Sequence, residues 1–141
     1  MPSLAPEEYQ HLAAMAQAYR DVYLPGMKNS HYRNPYLGVD ALCFEYIDAT
    51  VEGASLMVGA LITPCELWLV AVPDQATLIA PLPETLPLEL PSGRYLLALE
   101  RLPGGYEIYK RAILEDLSEL ASIQEASRLA QHMMLRLMTP K

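Results

Sequence analysis

The chain has 141 residues, 52% of them hydrophobic and 19% charged, with a formal net charge of −7. This is enough apolar material for one domain with its own core, and it excludes a disordered chain. The acidity opposes a nucleic-acid partner, because phosphate backbones would be repelled.

No run of about 18 apolar residues is free of charge and proline, so membrane insertion is not expected. Met1 to Gln10 carries Glu7 and Glu8 and no basic residue. That stretch lacks the basic and apolar regions of a signal peptide, so a cytoplasmic location is expected. In chain order, Tyr9, Leu12, Met15, Ala16, Tyr19, Val22 and Tyr23 recur at helical spacing. They predict a helix from Pro6 to about Tyr23 with one apolar face. Pro6 suits its first turn, Glu7 and Glu8 suit its positive end, and Leu24-Pro25-Gly26 is expected to stop it. A polar connection follows from Met27 to Gly38, with a turn at Asn34-Pro35.

The centre reads as sheet. Leu42, Phe44 and Tyr46 alternate with Cys43 and Glu45, and Glu52-Gly53 marks a turn. Leu56–Ile62 and Leu67–Val72 are nearly continuous apolar runs, as in strands covered on both faces. Thr63-Pro64 divides them. Asp74 to Pro91 contains Pro81, Pro83, Pro87 and Pro91. Proline lacks a ladder donor, so this stretch is expected to be an extended connection with one short edge strand around Thr77–Ala80. Pro91-Ser92-Gly93 opens a hairpin strand carrying Tyr95, Leu97 and Leu99. Pro103-Gly104-Gly105 turns it, and Tyr106–Leu114 returns as a half-exposed strand. Ser122-Ile123-Gln124-Glu125 is a capping box that starts the last helix. Its inner stripe is Ile123, Ala126, Ala130, Met133, Met134 and Leu137, with Leu135 off the stripe and Met138 at its margin. The expected architecture is α+β in one domain over residues 1–141. An antiparallel or mixed sheet of about five to six strands packs against N- and C-terminal helices.

Catalytic chemistry finds little footing. His11, His31 and His132 fall on polar helix faces or in a loop, without metal-ligand spacing. No nucleophile elbow, Walker loop or Gly-x-Gly-x-x-Gly occurs. Glu115, Asp116 and Glu119 read as a solvated stretch before a helix, with a paired-carboxylate site as the alternative. Cys43 and Cys65 lie in apolar stretches outside any Cys-x-x-Cys pair and read as two small buried thiols. No catalytic residue, metal or cofactor is expected. The residues left are suited to docking. Met133, Met134, Leu135 and Met138 crowd one helix end, Tyr32 and Tyr36 flank a turn, and Trp68 lies in an apolar strand. Each also has a reading as core, and for Trp68 core is the leading one.

Three segments resemble a known family. Asn34-Pro35-Tyr36-Leu37-Gly38-Val39-Asp40-Ala41 resembles the Asn-Pro-x-Leu-x-Val-x-Ala segment of the HybE/HupJ-type hydrogenase assembly chaperones. Gly59-Ala60-Leu61-Ile62-Thr63-Pro64 is similar to that family's central signature, and Leu90-Pro91-Ser92-Gly93-Arg94-Tyr95 to a later strand start. With the terminal helix, the likeness spans residues 6 to 138. The sequence departs from the pattern at Cys65, where the family usually has tryptophan. It departs again around Arg111–Asp116, where a Cys-Ser-Leu-x-Ser-Pro segment is usual. Only two cysteines are present, which fits relatives without a rubredoxin-like extension.

The resemblance implies a non-enzymatic, protein-binding chaperone in maturation of a membrane-bound nickel–iron hydrogenase. Its partner would be the large or small subunit, held back from twin-arginine export, with a basic signal peptide as a further target. The expected contact surface is Asn34, Pro35, Tyr36 and Leu37 together with Thr63, Pro64 and Trp68. The alternative is a small-molecule-binding domain or enzyme with a pocket between sheet and helices. A closed pocket with converging Tyr, Arg and Glu groups would favour that alternative, and a filled core would favour the chaperone.

Overall fold

The computed structural model describes residues 6–27, 39–63, 66–114 and 122–140, without the side chains of residues 23–27, 103 and 123. Helix α1 (Pro6–Met27) is followed by strands β1 (Asp40–Val51), β2 (Ala54–Ile62), β3 (Leu67–Pro73), β4 (Thr85–Leu90), β5 (Gly93–Arg101) and β6 (Glu107–Leu114), then helix α2 (Ile123–Leu137). The strands form one antiparallel sheet in the order β1-β2-β3-β6-β5-β4. It consists of two three-stranded meanders, β1-β2-β3 and β4-β5-β6, joined where β3 pairs with β6. The architecture is α+β with terminal helices, as the sequence predicts.

The two-residue period of a strand explains the continuous apolar runs. Leu56, Val58, Ala60 and Ile62 of β2 face one side, with Leu67, Leu69 and Ala71 of β3. Met57, Leu61, Trp68, Val70 and Val72 face the other. Helix α2 covers the first side through Ala126, Ala130, Met134 and Leu137, which pack with Leu86, Leu88 and Leu90 of β4. Both edge strands contribute to this cluster, so the sheet curls and this face is concave. The edges approach closely enough for Asp48–Thr50 and Leu86–Glu89 to line one cleft. Helix α1 covers the convex side through Leu12, Met15, Ala16 and Tyr19, which rest on Phe44, Met57, Trp68 and Ile108.

Several expectations change in detail. The buried stripe of α1 is two turns long, and Tyr9 and Val22, a turn to either side, are 54% and 57% exposed. Helix α1 runs through Leu24-Pro25-Gly26 to Met27, because a proline withholds one amide hydrogen bond without forbidding the turn around it. The short edge strand is at Thr85–Leu90 and not Thr77–Ala80. Gln75–Thr77 is a 3-10 turn capped by the Asp74 carboxylate, which accepts from the Ala76 amide at 3.1 Å. Pro87 is tolerated in β4 because the strand has one neighbour, β5, and its other side needs no donor. β6 is an inner strand and half-exposed as expected: Ile108 and Tyr109 near its start face opposite sides and are fully buried, whereas residues 110–114 are partly or fully exposed.

The ends of α2 are tied down as the capping box requires. The Ser122 hydroxyl accepts from the Glu125 amide at 3.2 Å. At the other end the Ser92 amide, in the β4–β5 turn, donates to the Leu137 carbonyl at 3.1 Å. The Leu90–Tyr95 motif thus anchors the terminal helix. No described helix is long and apolar enough to cross a membrane.

β1 breaks its alternation with a bulge. Leu42 pairs with Ala60 and Glu45 with Val58, so Cys43 and Phe44 together oppose Gly59. Cys43 takes the left-handed conformation at φ 60°. The extra residue reverses the facing: Leu42 joins the concave cluster, and Phe44 and Tyr46 join the convex one. Cys43 is therefore exposed and not the buried thiol expected from its apolar neighbours. Cys65 lies outside the described residues. Partial desolvation, with a smaller contribution from the Glu45 carboxylate, raises the Cys43 thiol above its ordinary pKa. In a Cys65→Ser background, iodoacetamide should therefore alkylate Cys43 more slowly at about pH 7 than it alkylates a free cysteine peptide. Equal rates would contradict this.

Tyr109 gives a second pH-dependent expectation. Its hydroxyl donates to the Pro83 carbonyl at 2.6 Å. Burial, then the carboxylates of Glu107, Glu52 and Glu84, push its phenol above the ordinary value of 10.0. The fold favours the protonated form, so this contribution is complete below the unfolded pKa and is lost as pH rises through the folded one. The urea midpoint should fall between about pH 9 and about pH 11, and Tyr109→Phe should fall less over that interval. At neutral pH the same substitution should cost about 1 kcal/mol for the lost hydrogen bond. Parallel pH profiles for the two proteins would remove Tyr109 as the cause.

Candidate functional site

Of the seven residues expected at the contact surface, Asn34, Pro35, Tyr36, Leu37 and Pro64 lie outside the described residues. Thr63 and Trp68 are described, and both are buried, at 1% and 2% exposure. Thr63 closes the β2–β3 connection. Its amide donates to the Glu66 carbonyl at 2.9 Å, and its hydroxyl oxygen accepts from the Glu66 amide at 2.8 Å. Trp68 belongs to the convex core, which is the leading reading of that residue. Its Nε1 donates to Glu66 Oε1 at 2.8 Å, Tyr19 meets its ring edge-on at 5.3 Å, and Lys110 Nζ lies 3.9 Å from the ring centroid. The β1–β2 ladder sets Asp40 opposite Ile62. Asp40, at the start of β1, therefore lies at the same end of the sheet as Thr63.

A second feature was not singled out in the sequence. A groove of about 410 Å³ runs between the first turns of α1 and the convex face of the sheet. Its floor is apolar: Met15, Met57, Val72 and Ile108 are buried there. Tyr46 and Tyr106 form half-buried walls. Around them stand the carboxylates of Glu7, Glu8, Asp74 and Glu107. The Tyr46 hydroxyl donates to the Glu8 carboxylate, which ties α1 to β1. Arg101 Nε lies 3.2 Å from Glu107 Oε2, and the His11 and Tyr106 rings are 5.3 Å apart. His11 is the one lining residue able to carry positive charge.

The groove escaped sequence reading because its acids come from the start of α1, the end of β3 and the start of β6. Glu7 and Glu8 were legible only as favourable to a helix N-terminus. No three His, Cys, Asp or Glu side chains are grouped as metal ligands would be among the described residues. The groove opens to solvent, whereas the small-molecule reading describes a closed pocket.

A family model described as NiFe-hydrogenase assembly, chaperone, HybE matches residues 10–141. The chain belongs to the HybE family of hydrogenase assembly chaperones. The match covers both the β2–β3 connection and most of the groove. As a HybE-family protein it is an assembly factor, and a hydrogenase subunit is its partner in general terms. The solution structure of HybE from Escherichia coli is similar in fold, with a TM-score of 0.63 and 23% sequence identity. The alignment covers 90% of this chain and 76% of that one. A search of curated protein sequences returned no match.

Proposed function

We propose that this chain holds a subunit of a membrane-bound nickel–iron hydrogenase in the cytoplasm until assembly permits export by the twin-arginine route. The family match over residues 10–141 carries this reading. The acidity of the chain supports a basic signal region as part of what is held. The contact surface is the Asn34, Pro35, Tyr36, Leu37 segment with the connection at Thr63 and Pro64, and Trp68 supports it from beneath. The pairing of Asp40 with Ile62 supports treating these as one surface.

Thr63→Ala would be a poor probe of binding. It removes hydrogen bonds that close the connection and would cost about 1–2 kcal/mol of stability. Tyr36→Ala with Leu37→Ala is the better pair. Tagged protein should retain the precursor small subunit or the large subunit from a mixture of both. The double variant should retain at least about tenfold less, as loss of an aromatic anchor predicts, with unchanged thermal stability. Repeating the capture with a subunit lacking its signal region tests the export reading. Failure to retain any form of either subunit would overturn the proposal.

A further inference from the structure

We propose that the groove between α1 and the convex face takes one arginine side chain of the partner polypeptide. The inference rests on the reading that the chain holds a polypeptide client. The groove is shaped for an amphipathic cation. Met15, Met57, Val72 and Ile108 offer an apolar floor to an aliphatic stem. Glu7, Glu8, Asp74 and Glu107 offer carboxylates to its charged head; Glu107 is paired with Arg101, and Glu8 and Asp74 accept neutral donors that leave their charge in place. Tyr46 and Tyr106 present ring surface between floor and rim, which suits a planar guanidinium better than an ammonium. The bond from Tyr46 to Glu8 holds that carboxylate in place before any ligand arrives.

Charge decides the occupant. An acidic side chain would be repelled by four carboxylates, and a neutral one could donate to them but would leave their negative charge unbalanced. A purely apolar one would leave those carboxylates partly desolvated without compensation. An arginine meets both surfaces at once. Because the site lies on the α1 side of the sheet, it would add a second, charge-reading contact to the surface around the β2–β3 connection.

The experiment uses the full chain and a capped decapeptide carrying two arginines in an alanine–serine background. Its counterpart has citrulline, a neutral isostere, at both positions. Binding is followed by fluorescence anisotropy at low salt and by the methionine methyl signals. The arginine peptide should bind about tenfold or more tighter than the citrulline peptide. It should shift Met15 and Met57 and leave Met133, Met134 and Met138, under α2, unmoved. Glu7→Gln with Glu107→Gln, both changes of surface side chains, should reduce affinity by a similar factor. Equal binding of the two peptides, shifts confined to the α2 methionines, or spermidine binding as tightly as the arginine peptide would each overturn the proposal. The titration needs no hydrogenase subunit. A negative result therefore removes the groove and leaves the capture experiment to judge the chaperone role separately.

Discussion

Trp68→Ala should destabilise the protein by about 3–5 kcal/mol, the range for removing a large aromatic from a packed core. The residue is buried where α1, β3 and β6 meet, between Tyr19 on one side and Lys110 on another. Truncation leaves a cavity bounded by a helix and two strands, whose backbones are held by the sheet ladder and cannot collapse inward. It also strips the Glu66 carboxylate of its indole donor. Thermal unfolding followed by circular dichroism should show a midpoint roughly 10 °C lower or more. Trp68→Phe separates the contributions. It keeps most of the ring volume and loses only the indole donor and part of the packing, so about 1–2 kcal/mol is expected. A loss below about 1 kcal/mol for the alanine variant would contradict the packing described here.

Gly59→Ala is expected to cost about 2–3 kcal/mol, although alanine ordinarily suits a strand interior better than glycine. A Cβ at Gly59 would stand 2.5 Å from Phe44 Cγ and 2.8 Å from Cε1. The ring cannot move aside easily, because the β1 bulge that sets it there is fixed by pairing on either side at Leu42 and Glu45. The lone phenylalanine of the chain therefore covers the bare backbone of a central strand. In a Phe44→Ala background the sign should reverse, with Gly59→Ala neutral or stabilising by about 0.5–1 kcal/mol. Urea denaturation of the four proteins gives the coupling directly. Additive effects would show that the ring and the glycine do not constrain one another.

The sequence showed the parts of this fold that depend on local pattern. The β2 and β3 runs, the glycine turn before β6 and the Ser122 cap were all legible, because each follows from burial, turn chemistry or capping within a few residues. The β4 edge was misplaced because Pro87 outweighed the alternation of Leu86, Leu88 and Leu90, which was present in the sequence. The bulge at Cys43 was invisible, since a cysteine does not announce a left-handed conformation as a glycine does. The groove was out of reach for another reason: Glu7 and Glu107 are brought together only by the packing of α1 on a sheet whose strand order no local signal encodes. Trp68 shows both limits: its strand favours the core reading, which its burial bears out, while the sequence still leaves an anchor as the second reading.

The junction of β3 with β6 has a kinetic consequence. Each three-stranded half is held by pairings between consecutive strands, which close short loops and form early. The β3–β6 ladder, Leu67 with Leu114 through Ala71 with Tyr109, closes a stretch that contains the whole β4-β5 hairpin. Its chain entropy must be surrendered before any of its contacts are rewarded. Docking of the two meanders is therefore expected to be the slow event in folding, and mutations along the β3–β6 ladder should slow refolding more than those in either hairpin. Until it occurs, β3 presents an unpaired apolar edge and β6 an unpaired one broken by Lys110 and Arg111, so β3 is the strand then most exposed to aggregation.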